Sequence, residues 1–247
     1  ATPFRSLEPD LDPLQVGVKA QSAARNQRPM NEAETRAEHI DPILRAAGWG
    51  VVAESRIRRE LQIAPGRLQG GGRRGKALLA DYVLVYRNTQ LAVIEAKRWD
   101  EPLTLGVGQA KNYAGLLRLR HAYSMNGQGI YSIDMHTGHE AEVDAFPTPD
   151  ELWQRTFPKP DAWRDRFAQV GYEDKGGSHP ARYYQDLAIA EVMRAVAAGQ
   201  SRILLTLATG TGKTFIAFQI AWKLFYSRWS LGQGAARRPR ILFLADR

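Results

Sequence analysis

Two apolar segments, Ala-Asp-Tyr-Val-Leu-Val-Tyr (80 to 86) and Ala-Val-Ile-Glu-Ala-Lys (92 to 97), joined by a short turn, constrain this chain more than anything else in it. Their length and their β-branched and aromatic content read as two strands. Side chains two apart on a strand share a face, so Glu95 and Lys97 lie together whatever surrounds them. Val93, Ile94 and Ala96 predict a strand buried on both sides. A carboxylate and an ammonium there carry a large desolvation cost unless something offsets it. A metal ion and a phosphate would do so, which makes Asp81, Glu95 and Lys97 a candidate magnesium-dependent phosphodiesterase centre. The plainer alternative is a strand ion pair at a sheet edge.

Register supplies a check. A two-residue hairpin loop at Asn88 and Thr89 would set Asp81 opposite Ala96, on the face away from Glu95 and Lys97. A shared site requires the other parity, through an odd-length turn or a bulge, and that parity is expected.

The 34 Lys and Arg against 26 Asp and Glu give a net charge of +8, which favours a polyanionic partner. With 247 residues, 44% of them hydrophobic, there is material for one large domain or two smaller ones. The absence of cysteine excludes disulfides, thiolate metal sites and a Cys nucleophile. The histidines (His39, His121, His136, His139 and His179) show no metal-ligand spacing. No apolar run approaches the ~20 residues that span a bilayer, and the N-terminus lacks a signal-peptide pattern, so a cytoplasmic protein is expected.

Residues 1 to 29, with four prolines and no periodicity, read as an extended or weakly ordered lead; Met30 could be a natural start. A domain over 30 to 150 follows. It opens with a helix carrying Ile40, Ile43, Leu44 and Ala47 on one side and closing at Gly48. Pro42 implies either a kink there or a fresh helix capped by Asp41. Val51 to Ile63 is strand-like, and Gly66 to Lys76 is a basic glycine-rich loop, either a solvated linker or a contact to a phosphate backbone. Leu105 to Leu119 reads as a helix with Gln109 and Tyr113 one turn apart, and Gly129 to Ile133 as a strand. Residues 151 to 180, with Trp153, Phe157 and Trp163, read as a linker packed against the body, because exposed tryptophans are costly.

A second constellation lies in 181 to 247. Arg202 to Leu207 has a buried-strand pattern, Ala-Thr-Gly-Thr-Gly-Lys-Thr (208 to 214) a glycine loop, and Phe215 to Phe225 an apolar helix. That order is the context of a phosphate-binding loop. Thr209, Gly210, Thr211 and Gly212 would turn amide hydrogens toward an anion at a helix N-terminus. Lys213 would reach the β and γ phosphates of ATP, and the Thr214 hydroxyl would ligate magnesium. Leu207 stands where the general pattern has its first glycine. Gln185, ahead of a helix from Asp186 to Ala198, is a candidate reader of the adenine edge. Arg240 to Leu244 repeats the buried-strand pattern. The acidic motif and facing arginine of a complete motor are not among these residues, so a longer protein is expected.

These residues resemble the restriction (R) subunit of type I restriction-modification enzymes over positions 31 to 247. Asp81, Glu95 and Lys97 look like its PD-(D/E)xK nuclease signature, with Ala80 in place of the proline, and Gln109 and Tyr113 look like the Gln-x3-Tyr motif that follows. Asn-Glu-Ala-Glu-Thr-Arg (31 to 36), Ala-Gly-Trp (47 to 49), Asn126-Gly127 and Phe-Pro-Thr-Pro-Asp-Glu-Leu-Trp (146 to 153) are similar to family blocks. Gln185, the Lys213 loop and Phe-Leu-Ala-Asp-Arg (243 to 247) look like the first motifs of a superfamily 2 helicase. Nuclease before motor is the type I order.

The resemblance implies an α/β chain: a restriction-endonuclease-like domain with a mixed sheet, then the beginning of a RecA-like parallel α/β motor. It implies Mg2+ on Asp81 and Glu95, joined by an N-terminal acid for which Glu32 is the best match. Glu34 and Glu38 share a helical face. One or two metal ions would activate water, and Lys97 would neutralise phosphoryl charge or help deprotonate that water. Gln109 and Tyr113 would orient the DNA backbone or the ligands, or pack the helix. Implied partners are double-stranded DNA and the specificity and modification (methyltransferase) subunits. Two other functions fit the same residues: a repair helicase-nuclease outside any restriction system, and a noncatalytic DNA-binding and assembly module.

Overall fold

The structure, a computed structural model, describes residues 30–64, 77–176, 180–230 and 237–244. The lead segment and the basic loop from Gly66 to Lys76 lie outside the described residues. Asn31 starts the first helix through a reciprocal cap: its side chain accepts from the Glu34 amide at 2.9 Å, and the Glu34 carboxylate accepts from the Asn31 amide at 2.8 Å. Helix α1 (Glu32–Thr35) runs through a π-helical turn (Arg36–Ile40) into α2 (Asp41–Ala46). The fresh helix expected at Pro42 is found, with the ring in the first turn of α2, but it is entered through the π turn and not through a cap at Asp41. The Asp41 amide bonds the Arg36 carbonyl five residues back. The widened turn accommodates a ring that would collide with the carbonyl four residues before it. Asp41 is no cap; its carboxylate accepts from the Tyr82 hydroxyl at 3.0 Å and from Arg59 at 2.9 Å.

Strands β1 (Ser55–Ala64), β2 (Leu78–Tyr86), β3 (Thr89–Ala96), β4 (His121–Met125), β5 (Ile130–Asp134) and β6 (Glu140–Val143) form one mixed sheet in chain order. Only β3 and β4 are parallel, and α3 (Val107–Leu117) makes the crossover this requires. The other pairs are antiparallel neighbours. One sheet face packs Tyr82, Leu84 and Ile94 against Ile40, Leu44 and Trp49, and against Leu152 and Trp153 of α4 (Pro149–Thr156). The other packs Val83 and Val93 against Ala110, Tyr113, Ala114 and Leu117 of α3. Each large apolar side chain buried in this way contributes roughly 1.5–3 kcal/mol. The expected packing of the 151 to 180 tryptophans is observed: Trp153 joins the sheet core, while Trp163, on α5 (Ala162–Gln169), packs against a third cluster.

That cluster unites Phe167 with Ile189, Val192 and Met193 of α6 (Tyr183–Ala197) and Ile216 of α7 (Lys213–Tyr226). The two buried strands expected around it are not found. Residues 202 to 207 and 240 to 244 belong to no strand of the described residues, with Leu204 92%, Leu242 82% and Leu244 83% exposed. Apolar, β-favouring composition does not make a strand without lateral partners and a covering layer. Here only Leu207 packs onto the helices. A polar joint ties α6 to the sheet: the Asp186 carboxylate, 8% exposed, accepts from Arg58 of β1 at 3.0 Å and from Gln90 of β3 at 3.1 Å.

Candidate active site and phosphate loop

The turn between β2 and β3 consists of Arg87 and Asn88, both at positive φ (49° and 55°), as a tight hairpin turn requires. It pairs Tyr86 with Thr89 and Val85 with Gln90. Continued unbroken, that register would put Asp81 on the face away from Glu95. The register shifts between Val85 and Leu84, Leu91 is left over, and Leu84 pairs with Ala92 and Tyr82 with Ile94. Asp81 therefore comes beside Glu95, on the α3 side of the sheet. The expected parity arises from a bulge.

One Asp81 oxygen, Oδ2, accepts the Ala96 amide at 2.8 Å; the other, Oδ1, faces Arg36 Nη1 at 3.3 Å. Glu95 is 3% exposed, and its Oε1 accepts from Lys97 Nζ at 2.6 Å. Its Oε2 is buried without a hydrogen bond. Burial, only partly offset by the Lys97 hydrogen bond, pushes the Glu95 carboxyl up to about 7, and Asp81 and Glu32 add to the rise. Burial also works against the Lys97 ammonium, but the bond and field of Glu95 outweigh it and hold its pKa above the usual lysine range. Glu32, in the first turn of α1, is raised by burial and then by Asp81.

An orphaned carboxylate oxygen next to a second carboxylate suits a hard, oxygen-preferring cation such as magnesium. Asp81 and Glu95 supply these oxygens, with Glu32 at the margin. Among the described residues no three acidic or histidine side chains form a closed metal cage.

Gln109 Nε2 donates to the Tyr113 hydroxyl at 2.8 Å, and Tyr113 is buried in the core beneath α3. Burial raises the Tyr113 pKa, and Glu95 and Asp81 add to the shift. Three residues of this region escaped sequence reasoning. A Cβ on Gly106 would fall 2.5 Å from Ser124 Oγ and 3.1 Å from Glu95 Cγ, so only glycine lets the start of α3 approach this closely. Thr35 Oγ1 accepts from the Trp99 amide at 3.0 Å, joining α1 to the loop after Lys97. Arg36 reaches Asp81 itself. Thr35 and Arg36 stand in the 31 to 36 block, so their position was legible and their partners were not.

In the second region Gly210 and Gly212 take positive φ (79° and 80°), the conformation expected of a loop that turns amides toward an anion. Lys213 and Thr214 begin α7 and are exposed. Thr211 Oγ1 donates to the Ala208 carbonyl at 2.7 Å. Gln185 lies within the first turn of α6 rather than ahead of it. Its Nε2 donates to the Thr211 carbonyl at 2.9 Å, and its Oε1 accepts from the Arg182 amide at 2.9 Å. Gln185 is 7% exposed, and these two bonds use one N–H and one lone pair of its amide.

Over 236 residues the chain is 36% identical to the type I restriction enzyme EcoAI endonuclease subunit of Escherichia coli, a match covering 88% of this chain and 27% of that one. The chain is a homologue of type I restriction endonuclease subunits. The EcoKI endonuclease subunit of Escherichia coli K12 is 28% identical over 267 aligned positions, covering 84% of this chain and 22% of that subunit. A solved fragment assigned to the HsdR subunit of a type I restriction enzyme from Vibrio vulnificus YJ016 superposes with a TM-score of 0.74 at 39% identity. It covers 86% of this chain and 41% of that one. A family profile described as type III restriction enzyme, res subunit, matches residues 178–247. The chain thus spans about a quarter of the length of these curated homologues. Among the described residues no helix is long and apolar enough to cross a membrane.

Proposed function

We propose that this chain carries the magnesium-dependent DNA-cleaving centre, of PD-(D/E)xK type, and the ATP-binding loop of a cytoplasmic type I restriction endonuclease subunit. The observation that carries this reading is the bulge at Leu91: it brings Asp81 beside Glu95 and Lys97, where one Glu95 oxygen is buried without a partner. Residues 30 to 150 are the nuclease domain, 151 to 180 the linker, and 181 to 247 the start of a RecA-like motor.

Asp81 and Glu95 hold magnesium, with Glu32 able to join them. When bound, magnesium supplies a Lewis acid that lowers the pKa of water and stabilises an oxyanion leaving group. Lys97, kept charged by Glu95, offers its ammonium to the developing phosphoryl charge. Gln109 and Tyr113 fix one another and orient the DNA backbone or the carboxylates. In the motor region the amides of Thr209 to Gly212 and the ammonium of Lys213 bind ATP phosphates, Thr214 ligates the accompanying magnesium, and Gln185 reads adenine. Double-stranded DNA is the substrate, and specificity and modification subunits are the partners of the whole protein.

Replacing Lys97 with Ala is expected to lower magnesium-dependent DNA cleavage by about a hundredfold to a thousandfold, the loss typical of a missing charge stabiliser. The chain should still fold and bind ATP; cleavage that survives the substitution removes Lys97 from the chemistry. Copurification with methyltransferase and specificity subunits separates a restriction enzyme from a free-standing repair nuclease.

A further inference from the structure

Arg36 pairs with Oδ1 of Asp81, the oxygen not bonded to the Ala96 amide. Its Nη1 lies 3.3 Å from Asp81 Oδ1 and its Nη2 3.5 Å from Glu60 Oε1. The Arg36 and Asp81 side chains are 21% and 16% exposed, whereas Glu60, at 65%, is open to solvent. Asp81 Oδ2 is already committed to the Ala96 amide. A guanidinium has donors and no lone pair, so it cannot enter a metal coordination sphere. Two positive charges beside one carboxylate oxygen repel each other, so Arg36 and a divalent cation compete for Oδ1. Arg36 also sits four residues after Glu32 on the same helical run, so one element delivers both an acid and its opponent to the site. Glu60 provides a second seat when Asp81 is taken. The planar fork of the guanidinium matches a phosphodiester, the one further anion the proposed substrate brings.

We infer that Arg36 guards Asp81: cation binding displaces the guanidinium from Oδ1, and the freed fork takes a phosphate of the incoming DNA. Loading of the cation and of DNA then support each other, because each gives a new partner to a group the other has released. This inference rests on the nuclease reading of Asp81 and Glu95.

The test is Mn2+ binding to the 247-residue chain without DNA, by titration calorimetry, in the wild type, Arg36→Gln, Arg36→Lys and Asp81→Asn. Removing the charge in Arg36→Gln should tighten Mn2+ binding about fivefold, the scale of one partly exposed ion pair. Arg36→Lys keeps a cation beside Asp81 and should stay within about twofold of the wild type on the same scale. Binding of a DNA duplex in Ca2+, which supports binding without turnover, should weaken in Arg36→Gln. Arg36→Met, which retains the aliphatic stem, takes its place if the glutamine variant does not fold. Mn2+ affinity that is unchanged or weaker without the charge overturns the guard. Binding that is identical in Asp81→Asn and the wild type removes the metal site, and the guard with it.

Discussion

In the sheet region Glu95 is 3% exposed, its neighbours Val93, Ile94 and Ala96 are completely buried, and the strand faces are covered by α2, α3 and α4. From Tyr183 onward Lys213 and Thr214 stand in solvent, and Leu204 and Leu242 are 92% and 82% exposed. The first region holds its charges against the cost of burial by hydrogen bonds and ion pairs, so its electrostatics are built in before any ligand arrives. The second relies on backbone: two glycines at positive φ and a helix N-terminus, a device that works at a surface. A carboxylate that must bind a cation tightly gains from a dry setting, whereas a loop that exchanges nucleotide gains from an open one.

The sharpest way to break this contrast is at the joint. Asp186→Ala removes a buried carboxylate and leaves Arg58 and Gln90 without their acceptor. A loss of about 3 kcal/mol is expected, at the low end for breaking a buried pair because Arg58 is 32% exposed. Urea titration should then resolve separate transitions for sheet and helices; a single transition with an unchanged midpoint would mean that the joint contributes nothing.

A smaller effect belongs to the sheet region. Burial lowers His121 from 6.5 to about 4. The unfolded chain therefore binds its proton first as pH falls. Stability from this residue is complete above 6.5 and is lost as pH drops through that window to about 4. The share expected is roughly 2 kcal/mol, somewhat less than the full shift would give. Thermal unfolding at neutral pH and at the acid end of the window, in the wild type and in His121→Asn, measures it: the variant should lose less stability between the two. Equal losses would rule His121 out. The smallest effect is that of Gln185→Ala, which frees the Thr211 carbonyl and the Arg182 amide. About 1 kcal/mol of local stability should be lost. Hydrogen exchange should speed up at 209 to 212 and not in β3; no change in the loop would mean that Gln185 does not hold it.

Much of the sheet region was legible because a period of two leaves few options: once Val93 and Ile94 are buried, Glu95 and Lys97 must share a face. The bulge was required by parity, yet its position at Leu91 was not encoded in any visible signal, since Leu91 is one apolar residue among several. Strands β4 and β6 were missed because His-Ala-Tyr-Ser-Met and Glu-Ala-Glu-Val lack strong β patterning; their neighbours make them strands. Around Pro42 sequence offered a kink or a fresh helix capped by Asp41; the fresh helix is there, and a π turn takes the place of the cap. The glycine turn ahead of α7, with Gly210 and Gly212 at positive φ, was legible from local chemistry alone. Its flanking strands were not, because strand pairing depends on partners that a local pattern does not supply. The contacts of Arg36 and Gly106 with the site appear only once distant segments meet.

The most direct test is magnesium-dependent cleavage of supercoiled plasmid by this chain, beside a folded Glu95→Gln variant. Cleavage by the wild type and its loss in the variant is the expected result. Cleavage by the variant equal to that by the wild type would contradict a cleavage centre at Asp81, Glu95 and Lys97.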